Sequence, residues 1–142
     1  MKKILILIFV IFFVLTSVGC GAEKAKWDVI RLVNRNYNRI VTACENRDKD
    51  TLLAINGIEE IDFAENYVIL FCKGAGIAPS SQDYGFYYSE NNSPITVDCD
   101  LDIVCFEKDL SPEGEGYQCV VNGNVFYTEH IKGKLYFYST AY

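Results

Sequence analysis

The feature that most constrains this chain is a change of apolar period. Ile95, Val97, Cys99, Leu101, Ile103 and Cys105 recur at every second position without a fault, with polar residues between them as far as Asp102. A two-residue period is the signature of a strand with one buried face. Upstream, Ile30, Val33, Tyr37, Ile40 or Val41, and Cys44 recur at three- and four-residue steps, which makes one stripe of a helix over 27–46. A chain that is helical first and alternating later folds as α+β, with its N-terminal helices packed on one face of an antiparallel sheet.

The punctuation between these runs divides the chain further. Asn46-Arg47-Asp48 breaks the first helix, Asp48 or Asp50 caps a short second one through Ile55, and Asn56-Gly57 closes it. Glu59, Glu60 and Asp62 followed by Lys73-Gly74 suit the two ends of a third helix over 59–72, although Tyr67–Cys72 has strand propensity. Residues 74–83 read as a loop, and a strand follows over 84–89 with a turn at Glu90–Pro94. A second turn is expected at 110–116. Asn122-Gly123 marks a tight hairpin between strands over 117–121 and 124–131, and Lys132-Gly133 turns into a last strand over 134–142. Long helix, short helix, third helix and curled meander resemble the cone-shaped fold of the scytalone-dehydratase and nuclear-transport-factor type, a likeness of architecture that implies no function.

The N-terminus carries an address. Lys2-Lys3, the uncharged run Ile4–Val14 and Leu15-Thr16-Ser17-Val18-Gly19-Cys20 form a basic region, an apolar region and a small-residue cleavage site. The end resembles the lipobox of bacterial lipoproteins, with Ser17 where leucine is usual. That resemblance implies removal of residues 1–19, a diacylglyceryl group on the Cys20 thiol, and an extracytoplasmic domain anchored to the cell membrane. Residues 20–26 then serve as lipidated cysteine and tether, and 27–142 as a single domain. Gly74-Ala75-Gly76-Ile77 and Tyr84-Gly85-Phe86-Tyr87-Tyr88-Ser89 also resemble small uncharacterised lipoproteins of Gram-positive anaerobes, which implies no activity.

Charge and cysteine usage narrow the partners. The net charge is −6, yet residues 20–47 carry six bases against three acids. A basic membrane-proximal end below an acidic body suits an anionic lipid surface and not nucleic acid. Arg31, Arg35 and Arg39, four apart, form a ridge that is either a solvated face or a headgroup contact. Export permits disulfides among Cys44, Cys72, Cys99, Cys105 and Cys119, an odd number that leaves at least one unpaired. Without a CxxC pair, no metal or other cofactor is expected.

Residues with catalytic chemistry are sparse. Asp98, Asp100 and Asp102 lack the Gly and Glu of a calcium loop and read as the solvated face of a strand. His130 is the only histidine, and the expected pairing sets it opposite Leu135, away from every cysteine. Folding on the two tight turns places Cys105, Cys119, Val121, Phe126, Leu135 and Phe137 on a core face. The register also sets Cys105 opposite Cys119, the expected disulfide. The other face carries Phe106, Tyr127, Tyr136 and Tyr138. Two accounts fit it: a protein-binding surface, since Tyr gives large amphipathic contacts, or the inside of a curled sheet buried on both sides. The expectation is a membrane-anchored, non-enzymatic module of the immunity, inhibitor or envelope-accessory kind, with an envelope or secreted protein as partner. A small-ligand carrier or a carboxylate-based enzyme in a cone-shaped pocket is the alternative.

Overall fold

The computed structural model describes residues 2–75 and 81–142, with side chains described from Gly21 onward except that of Ala75. The expected export signal and Cys20 lie outside the described side chains, and residues 76–80 of the expected loop lie outside the described residues.

Helix α1 (Lys2–Glu45) buries Ala25, Val29, Val33, Ile40, Ala43 and Cys44. The stripe is set by Val29 rather than Ile30, which is half-buried together with Tyr37. Gly21–Lys26, expected as a tether, continue the helix, and Ala25 is buried against the sheet. At its other end the Arg47 N–H bonds the Cys44 carbonyl and the Asp48 N–H the Ala43 carbonyl, with Arg47 left-handed at φ 51. This is a Schellman closure with arginine in the place that usually favours glycine. The Arg47 guanidinium donates to the Ala64 and Glu65 carbonyls, both at 2.8 Å, and so fixes the turn that follows. Asp48 caps α2 (Lys49–Leu53) by accepting from the Thr51 N–H.

The third helix is not formed. Residues 59–72 instead make a hairpin of β1 (Glu60–Phe63) and β2 (Tyr67–Ala75). Val68, Ile69 and Leu70 are all fully buried, with Val68 and Leu70 facing the helices and Ile69 the opposite side. Burial on two faces suits β-branched residues on a pleated surface, and it overrides the helix-like charges at the ends. The third helix of the cone-like resemblance is thereby lost.

The remaining strands are β3 (Gln82–Ser89), β4 (Ile95–Val97), β5 (Ile103–Phe106), β6 (Ser111–Glu113), β7 (Gly116–Val121), β8 (Asn124–Lys132) and β9 (Leu135–Ala141). Seven form one open antiparallel sheet in the order β1-β2-β3-β9-β8-β7-β6, while β4 and β5 pair separately. The fold is α+β. The expected turn at 110–116 contains β6, which pairs with β7 as an edge strand.

The long alternating strand is also interrupted. β4 and β5 are joined by a turn in which the Asp98 carboxylate accepts from the Asp100 and Asp102 N–H groups and Leu101 is left-handed at φ 62. The three aspartates therefore belong to a turn and not to a strand face. The resulting hairpin lies across the side of the sheet away from α1. Tyr67, Ile69, Tyr87, Tyr136 and Tyr138 pack there against Ile95, Val97 and Leu101.

Candidate functional site

The two ends of the domain differ. At one end α1 begins its contacts, with Ala22 and Lys26 beside Tyr84, Tyr127 and Ala141. At the other end α1 finishes, with the Tyr88 hydroxyl on the Glu45 carboxylate. Tyr67 opens β2 at this second, distal end, where Phe106 closes β5.

The distal end is built on stacked aromatics. Tyr87 and Tyr136 are direct cross-strand partners, with rings 5.2 Å apart and nearly parallel. Tyr67 meets the Tyr87 ring edge-on at 6.2 Å. Their hydroxyls hold the segment that enters β4. The Ile95 N–H donates to the Tyr87 hydroxyl at 2.9 Å, and the Tyr136 hydroxyl donates to the Asn92 carbonyl at 2.9 Å. Beside this floor lies an open cleft of about 440 Å³ lined by Tyr67, Ser93, Phe106, Glu107 and Lys108. Phe106 is 49 % exposed. Burial raises the Tyr136 hydroxyl, and the Glu107 carboxylate adds to the rise. Burial likewise raises Tyr67, whose bond with Ser89 partly offsets it and to which Glu107 adds. Both hydroxyls therefore stay protonated donors at neutral pH. The cleft offers a half-exposed ring bordered by one acid and one base.

The four residues expected to share a binding face do not share one. Only Phe106 is open; Tyr136 is 6 % and Tyr138 0 % exposed, both covered by β4 and β5. Tyr127 stands on the helix side with its ring against Phe137. A bulge in β8 puts Tyr127 there. His130 pairs with Tyr136 and Lys132 with Leu135, so one extra residue intervenes, and a one-residue slip moves every side chain to the other face. His130 is set opposite Tyr136, not Leu135, and its Nε2 lies 2.8 Å from the Gly133 carbonyl. Tyr67 and Glu107 were missed at this site, because neither stands in an alternating run with Phe106.

A smaller cleft of about 270 Å³ lies between α1 and the sheet at the proximal end. There Lys26 pairs with Glu129, which is 9 % exposed, and the Tyr127 hydroxyl donates to the same carboxylate oxygen at 2.6 Å. Burial raises Tyr127, and the bond to Glu129 adds to it. Cys44 and Cys72 are buried thiols pushed up to about 12, chiefly by desolvation, with Glu45 and Glu59 contributing respectively. Neither is a thiolate at neutral pH. Arg31 pairs with Asp28 at 3.6 Å, and Arg39 donates to the Thr51 carbonyl. Among the described residues, no three His, Cys, Asp or Glu gather as metal ligands, and no helix is long and apolar enough to cross a membrane.

A disulfide joins Cys105 to Cys119 with α-carbons 6.7 Å apart. The two do not oppose each other in one ladder as expected. Cys105 pairs with Thr96 and Cys119 with Phe126, so the bond ties the separate hairpin to the main sheet. A closed loop of this size contributes about 3 kcal/mol. Urea unfolding with and without reductant is expected to differ by about that amount. A difference below about 0.5 kcal/mol would mean that the bridge is absent or idle in solution.

Comparison with protein families, with curated proteins and with solved structures finds no match to this chain.

Proposed function

We propose that the protein is a lipid-anchored envelope lipoprotein whose domain binds another protein through the distal cleft at Phe106. The observation that carries this reading is a half-exposed ring on a rigid aromatic floor, at the end of the domain opposite the chain's apolar N-terminus. An anchor through Cys20 would hold the proximal end at the lipid and present the distal end outward. Several groups able to do acid–base or nucleophilic chemistry are engaged elsewhere. Glu129 is paired with Lys26, His130 lies against its own turn, Asp98 ties a loop, and Cys105 and Cys119 are bridged. The partner class is an envelope or secreted protein.

Two measurements test the two halves. Cys20→Ser should abolish incorporation of labelled palmitate, and full labelling of that variant would end the lipoprotein reading. A photo-crosslinking amino acid at Phe106 or Lys108 should give one discrete protein adduct in intact cells, whereas the same group at the exposed Asp62 of β1 should not. Equal adducts at all three positions, or none, would remove the distal cleft from the binding account.

A further inference from the structure

The β7–β8 hairpin has a composition unlike the rest of the surface. Gly116–Thr128 contains no charged residue, in a chain that is 23 % charged. Four of the seven exposed large apolar side chains among the described residues stand on it: Tyr117, Val120, Val121 and Val125. Val120 is the most open at 60 %, and Val125 is its direct cross-strand partner. The tip between them is Asn122-Gly123, both with positive φ, a tight turn of uncharged residues. Isolated exposed apolar residues are ordinary on a soluble protein, but a charge-free strand pair that gathers them is not.

The place of this hairpin in the fold says what lies against it. Lys26 of α1 pairs with Glu129 of β8. From Glu129 the strand runs back toward the tip through Val125, whose partner on β9 is Ala141, and Ala141 borders the same cleft as Ala22. The valine tip therefore lies at the end of the domain from which α1 extends toward residue 2. The chain on that side is the uncharged run Ile4–Val14. Cys20 is six residues before Lys26, about 9 Å along a helix. Trp27, 48 % exposed, is one residue beyond Lys26, at a height where tryptophan favours the headgroup region.

We infer that the tip of the β7–β8 hairpin, through Val120, Val121 and Val125, inserts into the lipid surface as a second contact beside the N-terminal anchor. The inference rests on the membrane attachment proposed above. Two contacts at one end, the chain's N-terminus and the hairpin, fix the domain's orientation, which a single flexible anchor does not. The hairpin contributes apolar area to the upper acyl region, roughly 5–10 Å deep. It also holds the Phe106 cleft away from the bilayer.

Depth-dependent quenching tests it on the full chain purified from membranes. With Trp27→Phe as background, a single tryptophan is placed by Val120→Trp, and in a second protein by Phe106→Trp. Each is reconstituted into phosphatidylcholine–phosphatidylglycerol vesicles with bromine in the upper acyl chains. Val120→Trp should lose roughly half of its emission, at the depth expected of interfacial side chains, and Phe106→Trp should lose almost none. Vesicle flotation, run in parallel, separates the two claims. If the protein floats and position 120 is not quenched, the hairpin contact is wrong while the anchor stands. Quenching at both positions would also overturn it, because the domain would then lie on its side. A protein that does not float removes the anchor and the hairpin contact with it.

Discussion

Gly85→Ala is expected to leave little or no folded protein. Gly85 sits within β3, opposite Tyr138 of β9 and beside the β2 backbone. A Cβ there would stand 2.2 Å from the Leu70 carbonyl oxygen and 2.6 and 2.7 Å from two atoms of the Tyr138 ring. Neither neighbour can yield. The Leu70 oxygen belongs to the backbone of the adjoining strand, and Tyr138 is fully enclosed. Forcing a methyl into a packed core usually costs about 1–3 kcal/mol. Here the clash also parts β2 from β3, so a loss on the order of 4 kcal/mol or more is expected, much of the total stability of a domain this size. Tyr138→Phe provides the contrast at the same spot. Its hydroxyl is buried without a hydrogen-bond partner, so removing it should be neutral or stabilising by about 1 kcal/mol. Urea midpoints of the two variants check both statements. A Gly85→Ala protein that unfolds at the native midpoint would show that β2 and β3 are not packed as described.

The same residues explain what the sequence reveals and what it hides. Local chemistry was legible: the Asp48 cap, the Asn122-Gly123 hairpin and the Gly133 turn all follow from residues within four positions of each other. Tyr67–Cys72 could not be settled locally. A strand buried on both faces has no period, and whether a second face is covered depends on residues 95–105 far along the chain. Asp98 hid its turn because Leu101 keeps the alternation on both sides of it while itself turning left-handed. The single bulge near Ile131 had the widest effect on the site. It follows Glu129 and His130, leaves no mark in the composition, and sends Tyr127 to the helix side while Tyr136 and Tyr138 keep the expected face. Only Phe106 stays open from the expected binding face, because Tyr136 and Tyr138 are covered by the β4–β5 hairpin and Tyr127 has moved to the helix side.

Lys26→Met is expected to cost on the order of 3 kcal/mol, more than Glu129→Gln, although the two remove the same ion pair. The difference comes from exposure. The Glu129 side chain keeps 11 % of its accessible area and the Lys26 side chain 26 %. Removing lysine strands a carboxylate in the cleft between α1 and the sheet, with the Tyr127 hydroxyl as its one remaining donor among the described residues, and an unpaired buried charge is the costly case. Removing the carboxylate leaves an ammonium whose long stem can carry it to water. Glu129→Gln also keeps an acceptor for Tyr127, so its cost should be about 1–2 kcal/mol. The pair joins the first sheet-contacting turns of α1 to β8, so its loss should also appear locally. Hydrogen exchange over residues 22–30 should quicken in Lys26→Met while residues 36–44, held by Ile40, Ala43 and Cys44, stay protected. Lys26→Met combined with Glu129→Leu should recover most of the stability, because an apolar pair of similar volume carries no desolvation cost. If Glu129→Gln proves the more damaging single change, or the double variant is no better than Lys26→Met, the clamp is not what docks the proximal end of α1 on the sheet.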